Sequence, residues 1–162
     1  MHKHDAQSGD GRDETPNERA DRNWNELLQE LCVTQTGTQI LTGFLLTIPF
    51  QQRFEDLDAY QKDVYLVLVV LAVLATALFV APVSLHRVLF QKRLKPELVT
   101  AGSRFARAGL VVLALVMAGS AMLIFDVVLT REAGWIVGGA SIVLLTVCWW
   151  LFPKLLARYS AD

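Results

Sequence analysis

Three predominantly apolar stretches of this chain run for 18 residues or more without a charged side chain. They are residues 64–85 (VYLVLVVLAVLATALFVAPVSL), 108–125 (AGLVVLALVMAGSAMLIF) and 133–153 (AGWIVGGASIVLLTVCWWLFP). A helix needs about 20 apolar residues to cross roughly 30 Å of hydrocarbon. Each run meets that length, the second with the help of VVLT after Asp126. The soluble alternative asks a 162-residue chain to bury three helices that are apolar all round, and a domain of this size has too little interior for them. Composition agrees: 53% hydrophobic and 19% charged, against roughly 45–50% and about 25% in soluble domains. The chain reads as a membrane protein.

A fourth stretch, 31–52 (LCVTQTGTQILTGFLLTIPFQQ), is also free of charge but rich in threonine and glutamine. At about 100° per residue, Leu28, Leu31, Gln35, Thr38, Gln39, Thr42 and Leu46 share one arc. Val33, Gly37, Ile40, Leu41, Phe44 and Ile48 take the other side. Threonine can return its hydroxyl to a carbonyl one turn back, whereas glutamine needs a partner elsewhere. The segment is either a spanning helix with its polar stripe turned to other helices or a helix lying in the interface. Interfacial helices carry Lys or Arg on the polar face, and this stripe has neither, which favours a span.

Loop charge sets the orientation. Arg87, Lys92, Arg93, Lys95, Arg104 and Arg107 outnumber Glu97 between the second and third helices, whereas Glu55, Asp56, Asp58 and Asp63 outnumber Arg53 and Lys62 in the first connection. Lys/Arg excess marks the cytoplasmic side. The expected fold is therefore an all-α transmembrane four-helix bundle with both termini cytoplasmic and spans near 33–52, 63–85, 108–130 and 133–153. Asn23 with Glu26, and Asp58 with Gln61, read as N-caps with reciprocal acceptors. Lys95-Pro96-Glu97 reads as the start of a helix. Trp24, Phe90, Phe105, Trp149, Trp150 and Tyr159 are expected at the inner boundary, and Phe54, Tyr60, Tyr65 and Trp135 at the outer one.

Residues 1–22 hold ten of the 31 charged residues and few large apolar ones, so they read as a disordered tail ahead of a 23–159 membrane domain. No apolar h-region follows the N-terminus, and no cleaved signal peptide is expected. His2 and His4 read as solvated rather than metal-binding, because no ligand-spaced Cys, His or Asp cluster accompanies them. The net charge of −1 excludes a nucleic-acid binder that works through bulk positive charge.

Within Arg22–Phe90, the run ELLQELCVTQTGTQILTGFLL, the motif PFQQRF and the motif APVSLHRVLF resemble a family of small bacterial membrane proteins of unknown function. Members are sometimes labelled sodium/proton antiporters. The resemblance implies a four-helix membrane protein and supplies no catalytic or binding residues.

An ion-coupled carrier normally places an ionisable residue within the membrane. The candidate here is Asp126, near the outer end of the third helix and about 10 Å from the midplane at roughly 1.5 Å per residue. There it can reach water or Arg131, so a helix-end role is favoured. His86 and Arg87 suit a helix C-terminus facing lipid phosphates. Ala114, Ala118 and Ala121, and Gly134 with Gly138, are small-residue patterns that allow helices to approach closely. Pro82 and Pro153 invite kinks. Cys32 and Cys148 are read as packing residues. No nucleophile–base pair, phosphate-binding loop or dinucleotide fingerprint occurs in the sequence, so neither an enzyme nor a cofactor is expected. What remains is a structural or interaction bundle, partnered by lipid and by itself or another membrane protein, with the stripe Gln35, Thr38, Gln39 and Thr42 bonding between helices. The competing reading is a small oligomeric transporter or channel, such as a cation/proton antiporter, with that stripe lining its path.

Overall fold

A computed structural model describes residues 16–89 and 95–159. The charged stretch before residue 16, with His2 and His4, lies outside them, as do Phe90, Lys92 and Arg93. The architecture is all-helical: α1 (Pro16–Thr47), α2 (Ala59–Leu89), α3 (Lys95–Val128), α4 (Arg131–Thr146) and α5 (Phe152–Tyr159). A π-helical turn, Val147–Leu151, joins α4 to α5. Four helical stretches are long and apolar enough to cross a membrane: Arg22–Phe50, Ala59–Ser84, Thr100–Val128 and Arg131–Leu156.

The helix ends follow local chemistry. Asp58 and Gln61 form a reciprocal capping box: Asp58 Oδ1 accepts from the Gln61 N–H at 2.8 Å, and Gln61 Oε1 accepts from the Asp58 N–H at 3.1 Å. Thr130 caps α4 by accepting from the Ala133 N–H. Helix α3 opens at Lys95 with Pro96 in its first turn, where a missing N–H costs nothing. Helix α1 ends at Thr47, two residues before Pro49, and a short 3-10 turn at Ile48–Phe50 takes over.

The expected cap at Asn23 and Glu26 is corrected. Helix α1 already runs from Pro16, so Asn23 sits about two turns inside it. Pro16 and the first-turn acid Glu18 suit a helix start, and the intervening NERADR segment contains good helix formers. Residues 16–22, assigned to the tail by composition, are therefore helical.

The chain runs up and down. Gly102 near the start of α3 lies against Trp24 and Leu27 of α1 and Pro82 of α2. At the other end the Tyr65 hydroxyl of α2 donates to the Leu45 carbonyl of α1 at 2.8 Å. Between these points lie two apolar clusters, one around Leu45, Tyr65, Leu68, Ala72, Val116 and Leu123, the other around Leu31, Ala75, Phe79 and Leu113. Both are built from α1, α2 and α3. Trp24 and Tyr65, expected at the membrane boundaries, are core residues instead. Of the residues of α4, Gly134 and Gly138 are buried. Val70, Ile124, Ile136 and Val143, spread over three helices, are more than half exposed, an outward apolar surface that suits hydrocarbon rather than water.

Glycine sets the helix spacing. A Cβ on Gly109 would lie 2.6 Å from the Phe79 ring, and one on Gly134 would lie 2.7 Å from the Met122 carbonyl oxygen. Gly138 fits over Met122 in the same way. The expected Gly134/Gly138 contact is thus the α3–α4 crossing, whereas nothing lies within 4 Å of a Cβ on Gly37.

These two environments predict opposite outcomes for similar changes. Gly37→Ala gains helix propensity without a clash and should stabilise the protein by about 0.5–1 kcal/mol. Gly109→Val must displace the buried Phe79 ring and should cost about 1–3 kcal/mol. Thermal melts in detergent read both, and equal shifts would contradict the packing described.

Candidate functional site

Three helix ends meet at one end of the bundle: the starts of α2 and α4 and the end of α3. Asp126, on the last turns of α3, is buried. The Gln61 side-chain amide donates to Asp126 Oδ1 at 3.2 Å. Arg131 opens α4 and places its Nε 3.6 Å from Asp126 Oδ2. The same guanidinium pairs with Asp58 Oδ2 and lies 4.2 Å from the centre of the Tyr60 ring. A cation at a helix N-terminus is opposed by the helix dipole, and two carboxylates and an aromatic face offset that cost here. Three side chains around one guanidinium, with Gln61 bonded to one of them, thus tie three helix ends together.

The electrostatics follow from these contacts. Asp58 is held below the usual carboxylate range, first by the Gln61 backbone N–H and then by the Arg131 charge, while partial desolvation acts the other way. Asp126 lies near the end of α3 with Arg131 within reach of its carboxylate. The sequence pattern does not anticipate Gln61 beside Asp126 or Tyr60 beside Arg131. An antiparallel α2–α3 pair necessarily brings the start of one to the end of the other, which is the signal that could have found Gln61.

The glutamine–threonine stripe is only partly brought together. Thr38 is fully buried, Gln35 and Thr42 are half-buried, and Gln39 is exposed. Ile40 and Phe44 face outward. Leu41 and Ile48, expected on the outer side, pack against the core, and Leu46, expected inside, is exposed. Every threonine of α1 returns its hydroxyl to a carbonyl of the preceding turn, Thr38 to Thr34 at 2.9 Å and Thr42 to Thr38 at 2.8 Å among them. The threonines are thereby neutral about which side they face, and the inward arc is centred on Leu31, Thr38 and Leu45 rather than on Gln39.

Helices α1 and α4 do not close on each other over α3. A groove of about 740 Å³ separates them, lined by residues that include Val33, Thr38, Leu113, Met117, Trp149 and Pro153. Its lining has no carboxylate, amine or guanidinium. The π-helical turn forms its α4 wall. Pro153 lacks an N–H and crowds the preceding turn, and the Phe152 N–H bonds to the Val147 carbonyl five residues back, which widens the helix where the proline requires it.

Two outcomes follow for the clamp. Asp126→Ala leaves the Gln61 amide and one face of Arg131 unpaired and should destabilise the protein by about 1–3 kcal/mol; Asp126→Asn should cost less. Because folding lowers the Asp58 pKa, its contribution is present above the unfolded value near 3.8 and fades as pH falls below it. Acid titration of the melting temperature should show this loss below about pH 4 in the wild type and a shallower loss in Asp58→Asn.

No curated protein and no solved structure matches the chain. The model of a family of unknown function, DUF6328, matches residues 13–153. That match extends from ahead of α1 through α4 to Pro153, and the chain belongs to the DUF6328 family.

Proposed function

We propose that the chain is a multi-pass protein of the cell membrane, with both termini cytoplasmic, acting as a structural or interaction bundle that assembles with itself or with another membrane protein. The observation that carries this reading is the placement of Asp126. Among the described residues it is the buried carboxylate, and it is engaged by Gln61 and Arg131 at a helix end. A carboxylate that binds and releases a travelling ion needs an open position within the membrane. The site of Asp126 is instead a three-helix joint. The apolar groove between α1 and α4 offers no titratable carboxylate or amine to replace it.

Orientation rests on charge. Arg104 and Arg107 near the start of α3, with Lys154 and Arg158 at the end of the chain, lie at the end opposite Asp58 and Arg131. That end is the cytoplasmic one by Lys/Arg excess. In this reading the chain carries no enzymatic activity, takes no cofactor and contacts no nucleic acid. The competing reading, a small oligomeric cation/proton antiporter, requires exchange that depends on Asp126 or on the glutamines of α1.

Two measurements decide between them. In a cysteine-free background, a cysteine at Asp58 should react with an impermeant reagent from outside, and cysteines at Lys95 and Ser160 only after permeabilisation. Purified protein in liposomes should produce no cation-dependent pH change, in the wild type and in Asp126→Asn alike. Outside labelling at Ser160 would overturn the topology. Exchange that is lost in Asp126→Asn would establish the antiporter.

A further inference from the structure

Helix α1 has a face that nothing else among the described residues covers. In alternating steps of three and four residues, Gln29, Cys32, Thr36, Gln39, Gly43 and Leu46 fall on one seam, all uncharged and all exposed. That spacing is the repeat of two helices wound together with a left-handed twist. Gln39 lies in its middle, about 5 Å from the centre of the 33–52 span at roughly 1.5 Å per residue. The Thr36 hydroxyl is closed on the Cys32 carbonyl. The Gln39 amide makes no side-chain hydrogen bond among the described residues. One turn on, the position of a Gly43 Cβ meets nothing within 4 Å, so the α1 backbone is open to close approach there.

We infer that this seam is the interface of a parallel homodimer, with Gln39 bonded to the partner subunit's Gln39 and Gly43 as the point of closest approach. The occupant follows from the chemistry. Copies inserted the same way can pair only about an axis along the membrane normal, which sets each seam residue opposite itself. A primary amide suits such pairing because it donates and accepts at once, and an uncharged seam brings no like charges together. In hydrocarbon an amide without a partner is strongly disfavoured, and small residues beside a polar one are the usual composition of membrane helix contacts. The inference rests on the membrane-spanning reading proposed above.

The native chain supplies its own reporter. Full-length protein carrying Cys148→Ser, oxidised in its membrane with copper–phenanthroline, should give a covalent dimer through Cys32. Moving the lone cysteine off the seam, with Cys32→Ser and Phe44→Cys, should largely remove it. Gly43→Leu and Gly37→Leu are the matched pair: both enter open space within one subunit, and they lie about 120° apart around α1. Gly43→Leu should abolish the dimer, and Gly37→Leu should leave it intact. Gln39→Leu should weaken dimerisation about three- to thirtyfold, and Gln39→Asn should restore most of it. Equal dimerisation of the two glycine variants, or no Cys32 product, would overturn the interface in protein whose Asp58 position labels from outside. Identical labelling of the Asp58, Lys95 and Ser160 positions would overturn the membrane-spanning reading first, and the interface with it.

Discussion

The close seat of α4 on α3 is the contact on which the rest of the bundle turns. Helix α3 already holds α2, through Gly109 under the Phe79 ring, and it carries Val116 and Leu113 into the clusters shared with α1. It can also receive α4 because Gly134 and Gly138 have no side chain to keep the backbones apart. Lipid tails are as apolar as leucine, so bringing apolar helices together in a bilayer gains little from hydrophobicity alone. Close packing and polar bonds have to supply the association. At the α3–α4 crossing the two occur together: the glycine that touches Met122 also lies against Asp126, whose carboxylate is engaged by Arg131 one turn earlier on α4.

The clamp also explains why α4 needs so little buried surface of its own. It buries two glycines and leaves Trp135, Ile136, Val143 and Leu144 exposed. A helix with that profile in water would be held weakly. Pinned at its first residue by Arg131, α4 can leave its apolar side chains facing outward. The same pinning leaves its far end to diverge from α1, and the π-helical turn ahead of Pro153 lies on that divergent stretch.

The four long apolar helices were legible in the sequence because absence of charge over about 20 residues is a strong, local signal. Helix starts were legible only where nothing upstream competed. Asp58/Gln61 and Asn23/Glu26 are the same motif by spacing. The first is a real capping box and the second is helix interior, since Pro16 begins the helix earlier. The facing of α1 was the least legible feature. Its threonines satisfy themselves, so polarity does not mark a side, and an arc drawn through the polar residues placed Gln39 inward and Ile48 outward. The place of Asp126 near the end of α3 was readable from the sequence. Its contact with Gln61 required knowing that α2 and α3 are antiparallel neighbours.

Helix α1 differs from its neighbours in a way that bears on assembly. It is the least apolar of the four long helices, and α2 is the most apolar. In a scheme where helices first insert and then associate, α2 and α3 are the most self-sufficient and α1 the least. Its threonines cost little, because a hydroxyl bonded one turn back presents mainly its methyl group. Its glutamines have no such refuge. Gln35 is half covered by the bundle, but Gln39 is not. A helix selected only to pack inside one subunit could carry leucine at that position and insert more readily. Under the proposed dimer, the amide that weakens insertion has its partner outside the bundle, and the polarity of α1 then serves association rather than the fold of a single chain.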